Sequence, residues 1–218
     1  MPYIYRIRTH ASLDRLESLI EQRLQPGADK RRIDRRIWDL FGERWAVMFT
    51  DLAGFSRNVA QYGIVHFLQT IFESQRVLVP CIEDHDGILL KTEGDSMLII
   101  FRRVDNAARC AVDMQRRLKE YNRDRPEEEK IELCLGIGYG DVLRIGDDDV
   151  FGAEVNAASK LGEDTAGPWD ILVTENVYQR IRDEPHYGFE PIDYSPPGAK
   201  AAYRLVVRGK VPPGERGS

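Results

Sequence analysis

Two aspartates stand where short polar links interrupt apolar runs, and that placement suits the chemistry of hard divalent cations. Asp51 ends the run Trp45–Thr50 and directly precedes the glycine-containing turn Leu52-Ala53-Gly54-Phe55-Ser56. A carboxylate there lies beside the free backbone N–H groups of a helix start, a setting for a metal ion and a phosphate together. Asp95 lies in Lys91-Thr92-Glu93-Gly94-Asp95-Ser96, between the apolar runs Ile88-Leu89-Leu90 and Met97–Phe101. Charged groups packed into such a link are costly unless they pair or bind something. If these two runs are strands beside the first, Asp51 and Asp95 meet, and adjacent carboxylates repel unless a cation sits between them. A third group follows an acidic loop: Asp149, then Asn156 and Lys160, four residues apart and so on one helical face.

The elements that must position these groups read as mixed α and β. Trp45–Thr50 is a strand, and a helical region runs from about Arg57 to Asp84. Gly63 breaks that region, since Phe67, Ile71 and Leu78 keep helical spacing only after it. Gly94-Asp95 forms a tight-turn pair, so Ile88–Phe101 is a hairpin. Its runs are nearly continuous, the mark of strands covered on both faces or at a sheet centre. Asp105–Tyr121 is an amphipathic helix. Ile131–Tyr139 alternates as a strand, and Gly140-Asp141 reads as a turn into Val142–Ile145. A helix from Ala153 to Thr165, a strand Ile171–Val173, a helix Glu175–Arg182 and a last strand Tyr203–Val207 complete the chain. The order β-α-β-β-α-β predicts a ferredoxin-like α+β fold.

Residues 1–44 read as a separate N-terminal helical extension, 45–207 as the main domain and 208–218 as a disordered tail. In the extension Leu13, Leu16, Ile20 and Leu24 recur at helical spacing, with Ser12 as N-cap and Pro26-Gly27 as stop. A second helix sets Ile33, Ile37, Leu40 and Phe41 against Lys30, Arg31, Arg32, Arg35 and Arg36. Two short helices cannot bury their own stripes, so they pack on the main domain or on a second copy. The basic cluster reads as a solvated helix face, because the net charge of −5 argues against general nucleic-acid binding. Hydrophobic content of 42% and charged content of 31% describe an ordinary soluble protein. No signal peptide and no run of about 18 apolar residues appears, which points to the cytoplasm and away from a membrane. Cys81, Cys110 and Cys134 lack zinc or redox spacing and read as reduced core thiols.

Taken together, Phe49-Thr50-Asp51-Leu52-Ala53-Gly54-Phe55-Ser56, Lys91-Thr92-Glu93-Gly94-Asp95-Ser96 and Asp149-Val150-Phe151-Gly152 with Val155-Asn156-Ala157-Ala158-Ser159-Lys160 resemble the class III nucleotide cyclase catalytic domain over residues 45–207. The resemblance implies a homodimer with its catalytic sites in the cleft between subunits. It implies two Mg²⁺ or Mn²⁺ ions on Asp51 and Asp95, attack of the ribose 3′-hydroxyl on the α-phosphorus, and departure of pyrophosphate. Backbone N–H groups of Leu52, Ala53, Gly54 and Phe55 would meet the phosphates. The partner subunit would supply Lys91 and Asp149 to the base, Asn156 to the ribose and Lys160 to the transition-state charge.

A lysine donates to adenine N1 and an aspartate accepts from the N6 amine, whereas guanine presents the reverse at both positions. Guanylate-specific members of the family carry Glu at the position of Lys91 and a small polar residue at that of Asp149. The expected activity is therefore conversion of ATP to cyclic AMP. Alternatives are a cyclase for GTP or a pyrimidine triphosphate, and a catalytically weak nucleotide-binding dimerisation module. Three departures from the family pattern bear on this choice. Lys160 replaces an arginine and loses its planar fork. The family's phosphate-binding Lys-Gly segment is missing, with Lys200 as candidate replacement. Glu93 stands where an apolar residue is usual, as an ion-pair partner or as a tuner of the metal or base pocket. Residues 1–44 are a possible contact for an unidentified regulator.

Overall fold

The computed structural model describes residues 10–54 and 60–209. The ferredoxin-like unit is built as predicted, from β1 (Gly42–Leu52), α3 (Ile64–Asp84), β2 (Ile88–Glu93), β3 (Ser96–Phe101), α4 (Val104–Tyr121) and β4 (Leu133–Ile145). These strands lie in the order β2-β3-β1-β4, and β1 is antiparallel to both of its neighbours. The sheet continues through β6 (Ile171–Thr174), β8 (Ala202–Val207) and β7 (Tyr187–Pro191), while β5 (Asp149–Phe151) pairs with the end of β4.

Strand parity divides the sheet into two faces. One face buries Met48, Leu52, Met97, Ile99, Phe101, Leu133, Leu135 and Ile137 under α3 and α4. The other buries Trp45, Val47, Leu98, Ile100 and Val142 with Val150 of β5 and Val155 of α5 (Ala153–Ser159). With apolar residues on both faces, β3 is buried throughout after Ser96, which explains its continuous run. Its partner β2 is instead a sheet edge, with its two ends exposed.

The second face has an unusual feature on β4. Gly136 and Gly138 occupy its positions there, and a Cβ built on them would lie 2.2 Å from the Ala158 carbonyl oxygen and 2.3 Å from that of Glu154. No side chain fits, so α5 rests backbone to backbone on the strand. Glu154, 6% exposed, then latches the helix in place. Its carboxylate accepts from the Tyr139 N–H at 3.0 Å, the Thr174 hydroxyl at 2.7 Å and the Asn176 amide at 2.6 Å.

Other sequence expectations need correction. Gly140-Asp141 is not a turn: β4 runs straight through, with Gly140 opposite Trp45 and Asp141 opposite Arg44. A Cβ at Gly140 would meet the Glu154 side chain at 2.8 Å, so the glycine serves helix approach. The helix expected over Ala153–Thr165 is α-helical only to Ser159 and π-helical over Lys160–Thr165. Strand β7 was not anticipated. In the extension, α1 (Ala11–Leu24) buries Leu19, whereas Leu13, Ile20 and Leu24 are exposed, and Ser12 lies inside the helix. In α2 (Lys30–Phe41), Ile33, Ile37 and Phe41 are buried against Ile145 of β4, and Leu40 faces solvent. Both helices thus dock on the main sheet through one small cluster. The expected tail lies mostly outside the described residues. No helix among the described residues is long and apolar enough to cross a membrane.

The three cysteines are buried and free. Burial pushes the Cys81 and Cys134 thiols up to about 12. Neither is poised as a thiolate nucleophile.

Candidate active site

Asp51 and Asp95 meet as parity requires. Asp51 follows Trp45, Val47 and Phe49 in period two, so its side chain emerges on the face that carries α5. The hairpin delivers Asp95 to the same place: Gly94 has a φ of 61° at the first central position, as a type II′ turn requires. The Ser96 hydroxyl donates to Asp51 at 3.3 Å, and the Leu52 N–H donates to both carboxylates. Burial, then the neighbouring charge of Asp95, pushes the Asp51 carboxyl up to about 6. Asp95 is also raised, chiefly by burial.

Among the described residues, Asp95 Oδ2 is the buried side-chain oxygen that lacks any hydrogen-bond partner. Two adjacent carboxylates held half-buried, one with an orphaned oxygen, fit a divalent cation better than they fit each other. No group of three or more His, Cys, Asp or Glu residues gathers for a metal among the described residues. Two carboxylates with the remaining ligands from phosphate and water is the usual manner of holding Mg²⁺.

The base-reading pair predicted from sequence is in direct contact. Lys91 Nζ lies 2.9 Å from Asp149 Oδ2 and 3.0 Å from Glu93 Oε1. A β-bulge makes this possible: the β2–β3 register shifts between Leu89, opposite Ile99, and Lys91, opposite Leu98. Were Leu90 paired regularly instead of bulged, Lys91 would oppose Met97, share the face of Leu89 and point under α3. The bulge turns it, with Glu93, to the face of Asp51 and α5. Hydrogen bonds to Asp149 and, after it, Glu93 raise the Lys91 ammonium despite some desolvation.

Asn156 and Lys160 follow from the glycine-seated helix. The Asn156 amide donates to the Pro197 carbonyl at 3.1 Å, and Gly198 abuts the first turn of α5 at Ala153. The loop that carries Lys200 therefore lies beside Asn156. The Lys200 ammonium has no ion-pair partner among the described residues, whereas Lys160 Nζ is 2.6 Å from Asp164. That contact holds the Lys160 ammonium above its ordinary range.

In the turn after Asp51, the Ala53 N–H donates to the Glu132 carbonyl at 2.9 Å, and the Leu52 N–H faces the carboxylates. Of the four donors expected for phosphate, Leu52 and Ala53 are thus engaged within the chain, Gly54 is left, and Phe55 lies outside the described residues. The structure also brings in residues that sequence reasoning missed. Glu163, on the π-helical turn, adds negative potential at both Asp51 and Asp95 and accepts from the Ser159 hydroxyl. Its spacing of four from Ser159 was the available signal. No hydrogen bond or ion pair links the Lys91–Asp149 group to Asp51 or Asp95 among the described residues.

The family model described as the adenylate and guanylate cyclase catalytic domain matches residues 42–200. A putative adenylate cyclase 3 of Rhizobium meliloti is 29% identical over 149 residues, which are 68% of this chain and 25% of that protein. An adenylate cyclase of Streptomyces coelicolor is 28% identical over 188 residues, 84% of this chain and 43% of that protein. The chain thus spans less than half the length of either relative. A crystal structure of an adenylate/guanylate cyclase/hydrolase from Silicibacter pomeroyi superposes with a TM-score of 0.67 at 28% identity, covering 77% of this chain and 99% of that one. With the family match extending from the first residue of β1 to Lys200, the chain belongs to the adenylate and guanylate cyclase catalytic domain family.

Proposed function

We propose that the chain is an adenylate cyclase, converting ATP to 3′,5′-cyclic AMP and pyrophosphate at sites shared between two copies of itself. The observation that carries this reading is the Lys91–Asp149 contact at 2.9 Å, on the sheet face that also presents Asp51 and Asp95. A lysine donor beside an aspartate acceptor matches adenine N1 and N6 and opposes guanine at both. Asp51 and Asp95 would hold two Mg²⁺ or Mn²⁺ ions, whose chemistry is to lower the pKa of the 3′-hydroxyl and to neutralise charge building on the phosphates. Asn156 orients the ribose, and Lys160 and Lys200 supply positive charge at the triphosphate. The roles of Asp51, Asp95, Lys91, Asp149 and Asn156 are carried from the family motif, whereas Lys160 stands in place of its arginine and Lys200 is a candidate replacement for its missing lysine.

Sharing between copies is supported by two features. Among the described residues, no hydrogen bond or ion pair joins the Lys91–Asp149 pair to the Asp51–Asp95 pair. In addition, α3 exposes Ile64, Val65, Leu68 and Phe72 along one side, an apolar strip that a second copy would cover. A nucleotide-binding module without turnover is the competing reading, and the Lys160–Asp164 ion pair favours it, because it occupies the cation assigned to the transition state.

Incubation with each of the four nucleoside triphosphates and Mn²⁺ tests the assignment. Cyclic AMP is the expected main product; a predominance of cyclic UMP or cyclic GMP overturns the base reading, and a predominance of cyclic CMP overturns the choice of ATP. ATP binding with no cyclic product establishes the module instead. Sharing is tested separately by mixing Asp95→Ala subunits with Asn156→Ala subunits. Each is expected to be inactive alone, and the mixed dimer should regain one intact site. An inactive, verified heterodimer places each site within a single chain.

A further inference from the structure

Adenine and cytosine begin their hydrogen-bonding edges alike, with an exocyclic amine beside a ring-nitrogen acceptor. A lysine donor paired with an aspartate acceptor therefore reads both. The edges part at the next position, where adenine carries C2–H and cytosine carries the O2 carbonyl. Nothing in the Lys91–Asp149 pair separates them.

The Lys91 ammonium is held by two carboxylates from different elements, Asp149 of β5 at 2.9 Å and Glu93 at the end of β2 at 3.0 Å. Two of its three N–H donors are thereby directed, and one is left for a base nitrogen. The arrangement is acceptor, donor, acceptor. Glu93 shares the face of Lys91 because both follow the Leu90 bulge, two residues apart. Its side chain is 73% exposed against 29% for Asp149, so it has open capacity for a ligand.

We propose that Glu93 is a third base-reading group, which faces position 2 of the base and rejects a 2-oxo pyrimidine. This inference rests on the adenine reading of Lys91 and Asp149. A carboxylate opposite the cytosine O2 places two acceptors together with no hydrogen between them, a mismatch that desolvation makes costly. Opposite adenine it meets only C2–H. Opposite 2-aminoadenine it gains a donor, so the pattern presented by the protein is completed by a 2,6-diaminopurine.

The test compares ATP, CTP and 2-aminoadenosine triphosphate, each with Mn²⁺, on the wild-type protein and on Glu93→Gln and Glu93→Ala. In Glu93→Gln the amide can donate to O2, and the ratio of kcat/KM for CTP over ATP should rise about tenfold or more. The 2-amino substrate should be favoured over ATP by about threefold or more in the wild type, and that preference should vanish in Glu93→Ala. Displacement of a fluorescent nucleotide by the same three compounds reads the same ratios without turnover. Ratios that move in neither variant overturn the proposal, as does a changed Mn²⁺ dependence with unmoved ratios, which assigns Glu93 to the metals. A wild-type preference for GTP or UTP removes the adenine reading and this inference with it. A wild-type preference for ATP with unmoved ratios removes the role of Glu93 alone.

Discussion

Asp51→Asn is expected to lower turnover by three orders of magnitude or more while making the metal-free protein more stable. The loss follows from the two-carboxylate site: with one member neutral, the remaining carboxylate holds a divalent cation weakly, and the charge that develops on the phosphates goes uncompensated. The gain follows from the cause of the Asp51 shift. Burial and the charge of Asp95 raise its carboxyl from the ordinary 3.8 to about 6, so the folded state binds a proton more tightly than the unfolded chain does. Such a group disfavours folding as pH rises from 3.8, and the penalty is complete above about 6. The shift corresponds to about 3 kcal/mol, and solvent screening on the open side of the site brings it to about 1–2 kcal/mol. An asparagine removes that penalty, keeps an acceptor for the Ser96 hydroxyl and offers Asp95 a donor. Thermal melts in EDTA at pH 8 should show the variant about 3–6 °C above the wild type. The gap should narrow to about half by pH 5. Adding Mn²⁺ should raise the wild-type melting temperature and leave the variant unmoved. A variant that melts lower than the wild type at pH 8 would falsify the electrostatic account of this pair.

The legibility of this site in the sequence was uneven, for reasons that can be named. Asp51 and Asp95 were readable because each sits at the end of a strand or in a turn whose chemistry is local, and Asn156 and Lys160 because they lie four apart in one helical stretch. The Gly94-Asp95 turn needs only its own residues to form. The Leu90 bulge was not readable. Ile88, Leu89 and Leu90 are apolar on both faces, so the run carries no phase, and a one-residue slip leaves no trace until β3 provides a register. The contact of Lys91 with both Asp149 and Glu93 depends on that slip. Gly140-Asp141 misled for a related reason. A glycine that admits a helix and a glycine that permits a turn look the same until the helix is in view. Strand β7 exists through its pairing with β8, and an edge strand of that length has no signature of its own. In α1, Leu13, Leu16, Ile20 and Leu24 form one stripe with Leu19 at its edge, and the docking cluster with Ile145 takes the Leu16–Leu19 side of it.

These contrasts also separate what the fold requires from what the chemistry requires. The glycines of β4 and the buried Glu154 have no reacting group to offer, yet they set the height of α5 above the sheet and so the position of Asn156. Lys91, Glu93 and Asp95 demand little of the core. They ride on an edge hairpin, where a bulge and a turn can be altered at small cost to stability. Under the proposed roles, the site ties its ribose group Asn156 to a rigid support and leaves Lys91 and Glu93 on an element free to vary. Substitutions on β4 should accordingly affect stability and turnover together, whereas those at Lys91 and Glu93 should act mainly on the choice of base.

Gly138→Ala puts the first half of that division to the test. The added Cβ would lie 2.3 Å from the Glu154 carbonyl oxygen, so α5 must lift by about 1 Å to restore van der Waals contact. Lifting is resisted, because the Glu154 carboxylate is bound at 2.6–3.0 Å to groups on β4, β6 and α6 (Glu175–Ile181). Its burial raises the carboxyl above the ordinary range, and the three donors work against that shift. Overpacking and stretched bonds to a buried carboxylate together should cost about 2–4 kcal/mol in urea melts. Asn156 lies two residues beyond Glu154 on the same short helix and moves with it. A misplacement of about 1 Å in a group proposed to orient the ribose should lower kcat about 100-fold while KM changes much less. Glu154→Gln supplies the comparison, since it loosens the latch without adding volume, and it should reproduce the loss of stability with a smaller loss of kcat. Melting and turnover like those of the wild type in Gly138→Ala would show that α5 can rise from the sheet freely, and the placement of Asn156 would then need another support.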